Sequence, residues 1–105
     1  MESVAILGAT GSIGKSSLDV ISRYPDRFTV YAVTANSSVK KLAQAAKDSG
    51  AKVAVIADKE LLGALQDELK AAGSRAQALA GAKAIDEIAS SPEVDIVIGA
   101  IVGAA

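Results

Sequence analysis

The sequence predicts an α/β domain, a Rossmann-like open parallel sheet with helices on both faces. Two observations indicate this class. Short apolar runs alternate with amphipathic stretches along the chain, and a glycine-rich segment joins the first run to the first amphipathic stretch. Half of the residues are hydrophobic, yet only 3% are aromatic. A core of small aliphatic side chains suits a parallel sheet covered by helices, and 105 residues allow one domain at most.

The first strand and the turn after it carry the strongest functional signal. Val4–Leu7 is a buried strand by its apolar run, and Gly8, Gly11 and Gly14 follow it at intervals of three. Gly8 allows the sharp turn, Gly11 leaves room for a ligand against the backbone, and Gly14 lets the helix pack closely on the strand. The helix N-terminus then offers an anion site, which most often holds a dinucleotide pyrophosphate. The alternative is a purely structural turn.

The first helix is predicted over residues 12–23, with Pro25 ending it. Four of its larger side chains are expected to line the inner face: Ile13, Val20, Ile21 and Tyr24. Lys15 and Ser16 follow a glycine-rich loop but do not fit a phosphate-binding P-loop, because that motif has four residues between its two glycines. Lys15 is therefore expected to face solvent.

The second strand, residues 28–34, leads into a segment without a carboxylate. NAD-specific domains usually place Asp or Glu here to bind the ribose 2′-hydroxyl, about 20 residues beyond the glycine-rich turn. This sequence has Asn36, Ser37 and Ser38, with Lys40 and Lys41 close behind. Hydroxyl donors and nearby ammonium groups favour NADP(H) over NAD(H). The alternative is that Ser37 or Ser38 only caps the next helix.

The remaining elements follow from periodicity and from turn residues. Helices are predicted at 38–49, from Asp58 to Ala72, and at 82–90; strands are predicted at 51–56, 76–79 and 94–98. Gly50 and Gly73 are expected to stop two of the helices. A leucine stripe on the third helix indicates core, and its acidic residues are expected to form a solvated face. This stripe comprises Leu61, Leu62, Leu65 and Leu69.

The last strand runs into small residues, starting at Gly99. Such residues at the carboxyl end of a parallel strand belong to the ligand crevice of an open α/β sheet, so Ala100 and Ile101 are predicted near the nicotinamide or its ribose. Close helix–sheet packing is the alternative explanation. Because the sequence stops inside an apolar run, we expect it to be the N-terminal part of a longer protein.

Composition excludes several other classes. A net charge of −1 without a long basic run argues against nucleic-acid binding. The sequence has no cysteine and no histidine, which excludes disulfides, thiolate metal sites and the commonest general base. Its longest apolar run, residues 96–105, is shorter than the roughly 18 residues that span a bilayer. No basic leader precedes the first strand, so we expect a cytoplasmic protein without membrane association.

Several stretches together resemble the 1-deoxy-D-xylulose 5-phosphate reductoisomerase family. The segments that carry the resemblance are Gly8–Gly14 (GATGSIG), Ser17–Ile21 (SLDVI), Pro25–Phe28 (PDRF), Gly73–Arg75 (GSR) and Ala100–Ala105 (AIVGAA). The likeness covers essentially the whole chain but only about a quarter of a family member's length. The first loop combined with the last run is far more specific than the glycine pattern.

The resemblance implies a homodimeric enzyme of the non-mevalonate isoprenoid pathway. The family converts 1-deoxy-D-xylulose 5-phosphate into 2-C-methyl-D-erythritol 4-phosphate, using NADPH and Mg²⁺ or Mn²⁺. By this likeness residues 1–105 form the NADPH-binding domain, in which Thr10, Gly11, Ser12 and Ile13 hold the cofactor phosphates. The loop 36–38 holds the adenosine ribose and 2′-phosphate. The family's catalytic, metal and substrate residues match nothing here, so no catalytic or metal residue is assigned.

One departure from the family concerns that loop. Many members have a glycine, a basic residue and an asparagine where this chain has Asn36, Ser37 and Ser38. Lys40 or Lys41 is the candidate cation that would replace the missing basic residue in binding the 2′-phosphate.

Two other functions remain open from the sequence. One is a different NADP-dependent dehydrogenase with a GxTGxxG turn, such as a semialdehyde dehydrogenase, which needs a nucleophilic cysteine further along. The other is a non-catalytic module that senses dinucleotide and signals to a partner.

Overall fold

An open, five-stranded parallel sheet forms the centre of the fold. The computed structural model describes residues 2–99, with the backbone alone at Ser12 and Ile13. The strands are β1 (Glu2–Leu7), β2 (Phe28–Ala35), β3 (Val53–Ile56), β4 (Gln77–Ala80) and β5 (Ile96–Gly99). Every pairing is parallel, and the spatial order is β4-β3-β2-β1-β5. The predicted fold class is confirmed.

Helices cover both faces of this sheet. They are α1 (Ser12–Ser22), α2 (Val39–Ser49), α3 (Leu62–Ala72) and α4 (Ala82–Ala89). One core cluster joins Val4 and Ile6 of β1 to side chains of the first three helices, whereas Ala5 belongs to a second cluster with Ile88 of α4. Adjacent strand residues point to opposite faces. Right-handed crossovers explain the division, because the chain reverses its direction across the sheet between β4 and β5.

The predicted boundaries agree with the structure within two residues, apart from the start of the third helix. There, the Asp58 carboxylate accepts a hydrogen bond from the Glu60 N–H at 3.0 Å and begins a short 3₁₀ turn, Lys59–Leu61, before α3. Gly50 and Gly73 end α2 and α3 in the left-handed conformation, as predicted. The leucine stripe is core, with Leu65 and Leu69 buried and the other two half-buried.

The predicted inner face of α1 is only partly right. Ile21 is buried, but Val20 and Tyr24 are 52% and 46% exposed; the Ile13 side chain lies outside the described part of the structure. The close approach of Gly14 to the turn fixes the rotation of the helix. That rotation directs Ile21, two turns on, and the half-buried Leu18 toward the sheet.

Strand β1 lies at the point where the strand order reverses. Its register on β2 shifts between Val4 and Ala5, which leaves Tyr31 of β2 as a bulged residue. On its other side, the Ser3 N–H donates to Asp95 Oδ2 at 2.8 Å, and the Asp95 N–H donates to the Ser3 carbonyl at 2.9 Å. These bonds fasten the start of β5 to β1. Because β1 pairs in parallel with both β2 and β5, the turn that follows β1 lies beside the ends of both neighbouring strands.

Candidate dinucleotide-binding site

The glycine-rich turn, residues 8–11, connects β1 to α1 at the carboxyl edge of the sheet. Gly8 has a φ of 75° and needs to be glycine for that reason. The Gly8 N–H donates to Thr34 Oγ1 at 3.1 Å, and the Ala9 N–H donates to the Thr34 carbonyl at 2.8 Å. The turn is therefore held in place by the end of β2.

Thr34 is the residue of this site that sequence reasoning missed. Among the described residues it is the one polar side chain that is buried, at 2% exposure. Its hydroxyl has a partner in the turn, which removes the usual cost of burying such a group. The signal in the sequence was a threonine at the carboxyl end of an otherwise apolar strand, but a threonine is also a common strand former.

Gly14 is required by the packing of α1 against the turn. A Cβ added there would lie 2.6 Å from the Ala9 Cα, 2.8 Å from the Ala9 carbonyl carbon and closer still to the Gly8 oxygen. Backbone atoms cannot give way cheaply at these distances. The interpretation that Gly14 permits close helix–strand packing agrees with this geometry.

Gly11 differs from its two neighbours in the motif. It is the N-cap of α1 with an extended backbone (φ −81°, ψ 173°), which any residue adopts. A Cβ added there would meet the Gly8 oxygen at 3.6 Å, an ordinary contact. The fold itself does not require glycine at this position. Apart from that oxygen and the chain neighbours, no atom of the described residues lies within 4 Å of the added Cβ at the helix N-terminus.

The start of α1 is an anion-binding environment. Its first N–H groups have no partner within the helix, and the helix dipole adds a partial positive charge. The first turn of α1 carries no acidic residue that would occupy this end. Thr10 lies half-buried on the turn. The structure gives the backbone of Ser12 and Ile13 at this end, while their side chains lie outside the described part.

The loop after β2 lies next to the turn, because β1 and β2 are adjacent and parallel. Asn36, Ser37 and Ser38 are all exposed. Ser38 occupies the N-cap position of α2, but its side chain makes no capping hydrogen bond. The Asn36 carbonyl accepts a hydrogen bond from the Asp58 N–H at 3.2 Å, which ties the loop to the end of β3. The loop therefore offers side-chain donors beside the helix N-terminus.

The structure brings the two predicted loops together at one edge of the sheet, and β5 reaches the same edge. Gly99, the last residue of β5, pairs with Leu7 immediately before the turn. The predicted nicotinamide contacts Ala100 and Ile101 lie outside the described residues. Between residues 2 and 99, no group of three or more His, Cys, Asp or Glu side chains is placed to hold a metal ion. No helix in that range is long and apolar enough to cross a membrane.

An open parallel sheet with a glycine-rich turn at its switch point defines a Rossmann-like domain, the class in which dinucleotides bind at the strand ends. Within that class, the chain belongs to the 1-deoxy-D-xylulose 5-phosphate reductoisomerase family, whose family model matches residues 4–105. Curated relatives with this name are 49% identical over the whole chain in a Janthinobacterium species and 48% identical over 99% of it in Cellvibrio japonicus. The chain spans about a quarter of their length, 27% and 26% respectively.

Solved structures agree with this assignment. The reductoisomerase from Zymomonas mobilis in complex with NADPH matches 86% of this chain and 23% of its own, with a TM-score of 0.79 and 53% identity. A second reductoisomerase, in complex with NADPH, fosmidomycin and magnesium, matches 92% of this chain and 24% of its own, with a TM-score of 0.84 and 36% identity. The fold and the family are therefore the same as in proteins solved with this cofactor bound.

Proposed function

We propose that this chain is the NADPH-binding portion of a 1-deoxy-D-xylulose 5-phosphate reductoisomerase, an oxidoreductase of the non-mevalonate isoprenoid pathway. The observation that carries the proposal is the contrast between Gly14 and Gly11. The fold needs glycine at position 14. Glycine at position 11 is not needed by the fold and keeps space clear in front of a helix N-terminus. A pyrophosphate is the group that such a space accepts in Rossmann-like domains. The NADPH bound to related structures supports the same choice of ligand.

The roles of the binding residues follow from this position. Gly8 shapes the turn, and Thr10, Gly11 and the backbone N–H groups of residues 12 and 13 hold the pyrophosphate. The loop 36–38 holds the adenosine ribose and its 2′-phosphate through hydroxyl and amide donors. Ala100 and Ile101 border the nicotinamide, a proposal that rests on the sequence. When bound, the cofactor supplies the hydride that reduces the rearranged aldehyde; this chain's residues bind and orient it.

The remaining activity belongs to the longer protein of which this chain is proposed to be a part. That enzyme would rearrange and reduce 1-deoxy-D-xylulose 5-phosphate to 2-C-methyl-D-erythritol 4-phosphate as a cytoplasmic homodimer, without nucleic acid or membrane partners. A related structure holds magnesium, and Mg²⁺ or Mn²⁺ is the proposed metal. The described residues contain no suitable ligand group, so we assign neither metal ligands nor catalytic residues to this chain.

The test is a calorimetric titration of the chain with NADPH and, separately, with NADH. We expect saturable binding that is tighter for NADPH. The control is Gly11→Val, whose side chain fits the extended backbone of residue 11 but fills the space proposed for the pyrophosphate. Binding should be lost in this variant while its circular dichroism spectrum stays that of the wild type.

Two results would contradict the proposal. Undiminished NADPH affinity in folded Gly11→Val would show that the turn does not hold the cofactor. A folded wild-type chain that binds neither nucleotide would show that residues 1–105 do not form the site by themselves, and the same titration on a longer protein would then test the dinucleotide assignment.

A further inference from the structure

A groove of about 430 Å³ separates α1 from α2. It starts at Ala9 and Thr10 of the glycine-rich turn and runs down both helices. Its remaining lining residues are Lys15, Leu18, Asp19 and Ser22 of α1 and Lys41, Gln44, Ala45, Asp48 and Ser49 of α2. Both helices begin at the carboxyl edge of the sheet, so the groove opens from the proposed cofactor site.

Charge is unevenly distributed along this groove. Lys15 and Lys41 lie in the first turns of their helices, at the end next to the glycine-rich turn, whereas Asp19 and Asp48 lie farther down. Both carboxylates already have partners: Asp19 pairs with Arg23 at 2.9 Å, and Asp48 accepts from Gln44 Nε2 at 2.8 Å. Within residues 2–99 neither lysine has an ion-pair partner. The end of the groove nearest the cofactor site is therefore cationic.

The two consecutive lysines of α2 differ in their surroundings. Successive residues of a helix are turned about 100° from each other. Lys41 lines the groove that begins at Thr10, whereas Lys40 lines a different groove, between α2 and α3, together with Glu68. A negatively charged ligand at the carboxyl edge of β2 would thus meet Lys41 and not Lys40.

We propose that Lys41, with Lys15 across the groove, recognises the 2′-phosphate of NADPH. This inference rests on the proposed function, and it identifies the cation that the loop 36–38 lacks. A ribose bound at the end of β2 places its 2′-phosphate beside the first turn of α2. The phosphate is a dianion that gains charge-assisted hydrogen bonds from ammonium groups. The carboxylates farther down the groove repel it toward the lysine end.

The test compares Lys41→Gln with the matched control Lys40→Gln in titrations with NADPH, NADH, 2′-phosphoadenosine 5′-phosphate and AMP. Both lysines are exposed, so both variants should melt like the wild type. We expect Lys41→Gln to weaken the two 2′-phosphorylated ligands by about tenfold, the scale of one charge-assisted hydrogen bond. NADH and AMP should bind unchanged, and Lys40→Gln should alter none of the four. Adding Lys15→Gln should reduce NADPH affinity further.

The inference is overturned if Lys41→Gln weakens NADH as much as NADPH, or if Lys40→Gln has the same effect as Lys41→Gln. A wild-type chain that binds NADPH and NADH equally would overturn it while leaving the dinucleotide function intact. A folded wild-type chain that binds none of the four ligands would overturn the proposal that Lys41 and Lys15 form a 2′-phosphate site within residues 1–105.

Discussion

At the scale of single residues, the three glycines of the motif have three different environments. Gly8 has a backbone conformation that other residues avoid, and Gly14 has backbone atoms where a Cβ would be. Gly11 has neither constraint, so we propose that a ligand is the reason for glycine at this position. Their equal spacing in the sequence gives no means of separating these causes. The causes are separated only by the contacts that the folded chain makes between the turn and α1.

The helical glycines Gly14 and Gly63 should respond oppositely to alanine. We expect Gly14→Ala to lower the free energy of unfolding by about 1–3 kcal/mol or more, because its Cβ overlaps the backbone of the turn. Gly63→Ala in α3 should raise it by about 0.5–1 kcal/mol, since a Cβ there meets nothing within 4 Å and alanine favours helix. Urea unfolding measures both.

The comparison is informative because the chemical change is identical. If Gly14→Ala were as stable as the wild type, the turn would have room to move away from α1, and the close packing described for this helix would be wrong. A Gly63→Ala variant that lost stability would indicate a contact of α3 that the fold does not account for.

At the scale of elements, the loop between β2 and α2 is proposed to decide which nucleotide the site prefers. Its side chains are exposed, and the Ser38 hydroxyl does not cap α2. The sequence raised helix capping as an alternative use of these serines, and the structure shows Ser38 at the N-cap position without the capping bond. The loop's donors are therefore available to a ligand next to the glycine-rich turn.

Ser37→Asp should shift the preference toward NADH. A carboxylate at this position repels a 2′-phosphate and can accept a hydrogen bond from a ribose 2′-hydroxyl. We expect the NADPH/NADH affinity ratio to fall by about tenfold or more, as measured by calorimetry. Gln66→Glu on the exposed side of α3 adds the same charge far from the site and should leave the ratio unchanged. An unchanged ratio in Ser37→Asp would mean that this loop does not contact the 2′ position.

At the scale of the whole molecule, the order of the strands creates the site. Strand β1 lies between β2 and β5, and the carboxyl ends of all three strands lie at the same edge of the sheet. The second core cluster, on the α4 face, joins the sheet to the segment that precedes β5. Tyr31, the bulged residue of β2, belongs to this face, and the neighbouring Glu93 carboxylate raises the pKa of its hydroxyl above the ordinary value of 10.0.

This interaction should make stability depend on pH in the alkaline range. Because the pKa of Tyr31 is higher in the folded state than in the unfolded state, its contribution is fully present below pH 10 and is lost as pH rises through the folded pKa. Tyr31→Phe lacks this contribution. We expect the difference in unfolding free energy between wild type and Tyr31→Phe to shrink above pH 10, measured by urea unfolding at several pH values. A difference that stays constant with pH would show that Tyr31 and Glu93 do not interact.

The sequence by itself determined the elements and the family of this protein. Apolar runs, leucine spacing and the stop signals at Gly50 and Gly73 are local, so each strand and helix could be predicted within a few residues. The residues of the glycine-rich turn also identified the fold class, because a strand, a tight turn and a helix N-terminus are adjacent in the chain. These features need no knowledge of distant contacts.

The tertiary structure decided what depends on residues far apart in the chain. The exposure of Val20 depends on its surroundings in the fold, because it lines an open apolar pocket together with Ile96 and Ile98 of β5. The role of Thr34 follows from its bond to Gly8, 26 residues away. The difference between Lys40 and Lys41 follows from the grooves on either side of α2. A sequence pattern cannot tell which of two consecutive helical residues faces a given site. Packing of the helix against a second element decides which of the two side chains does so.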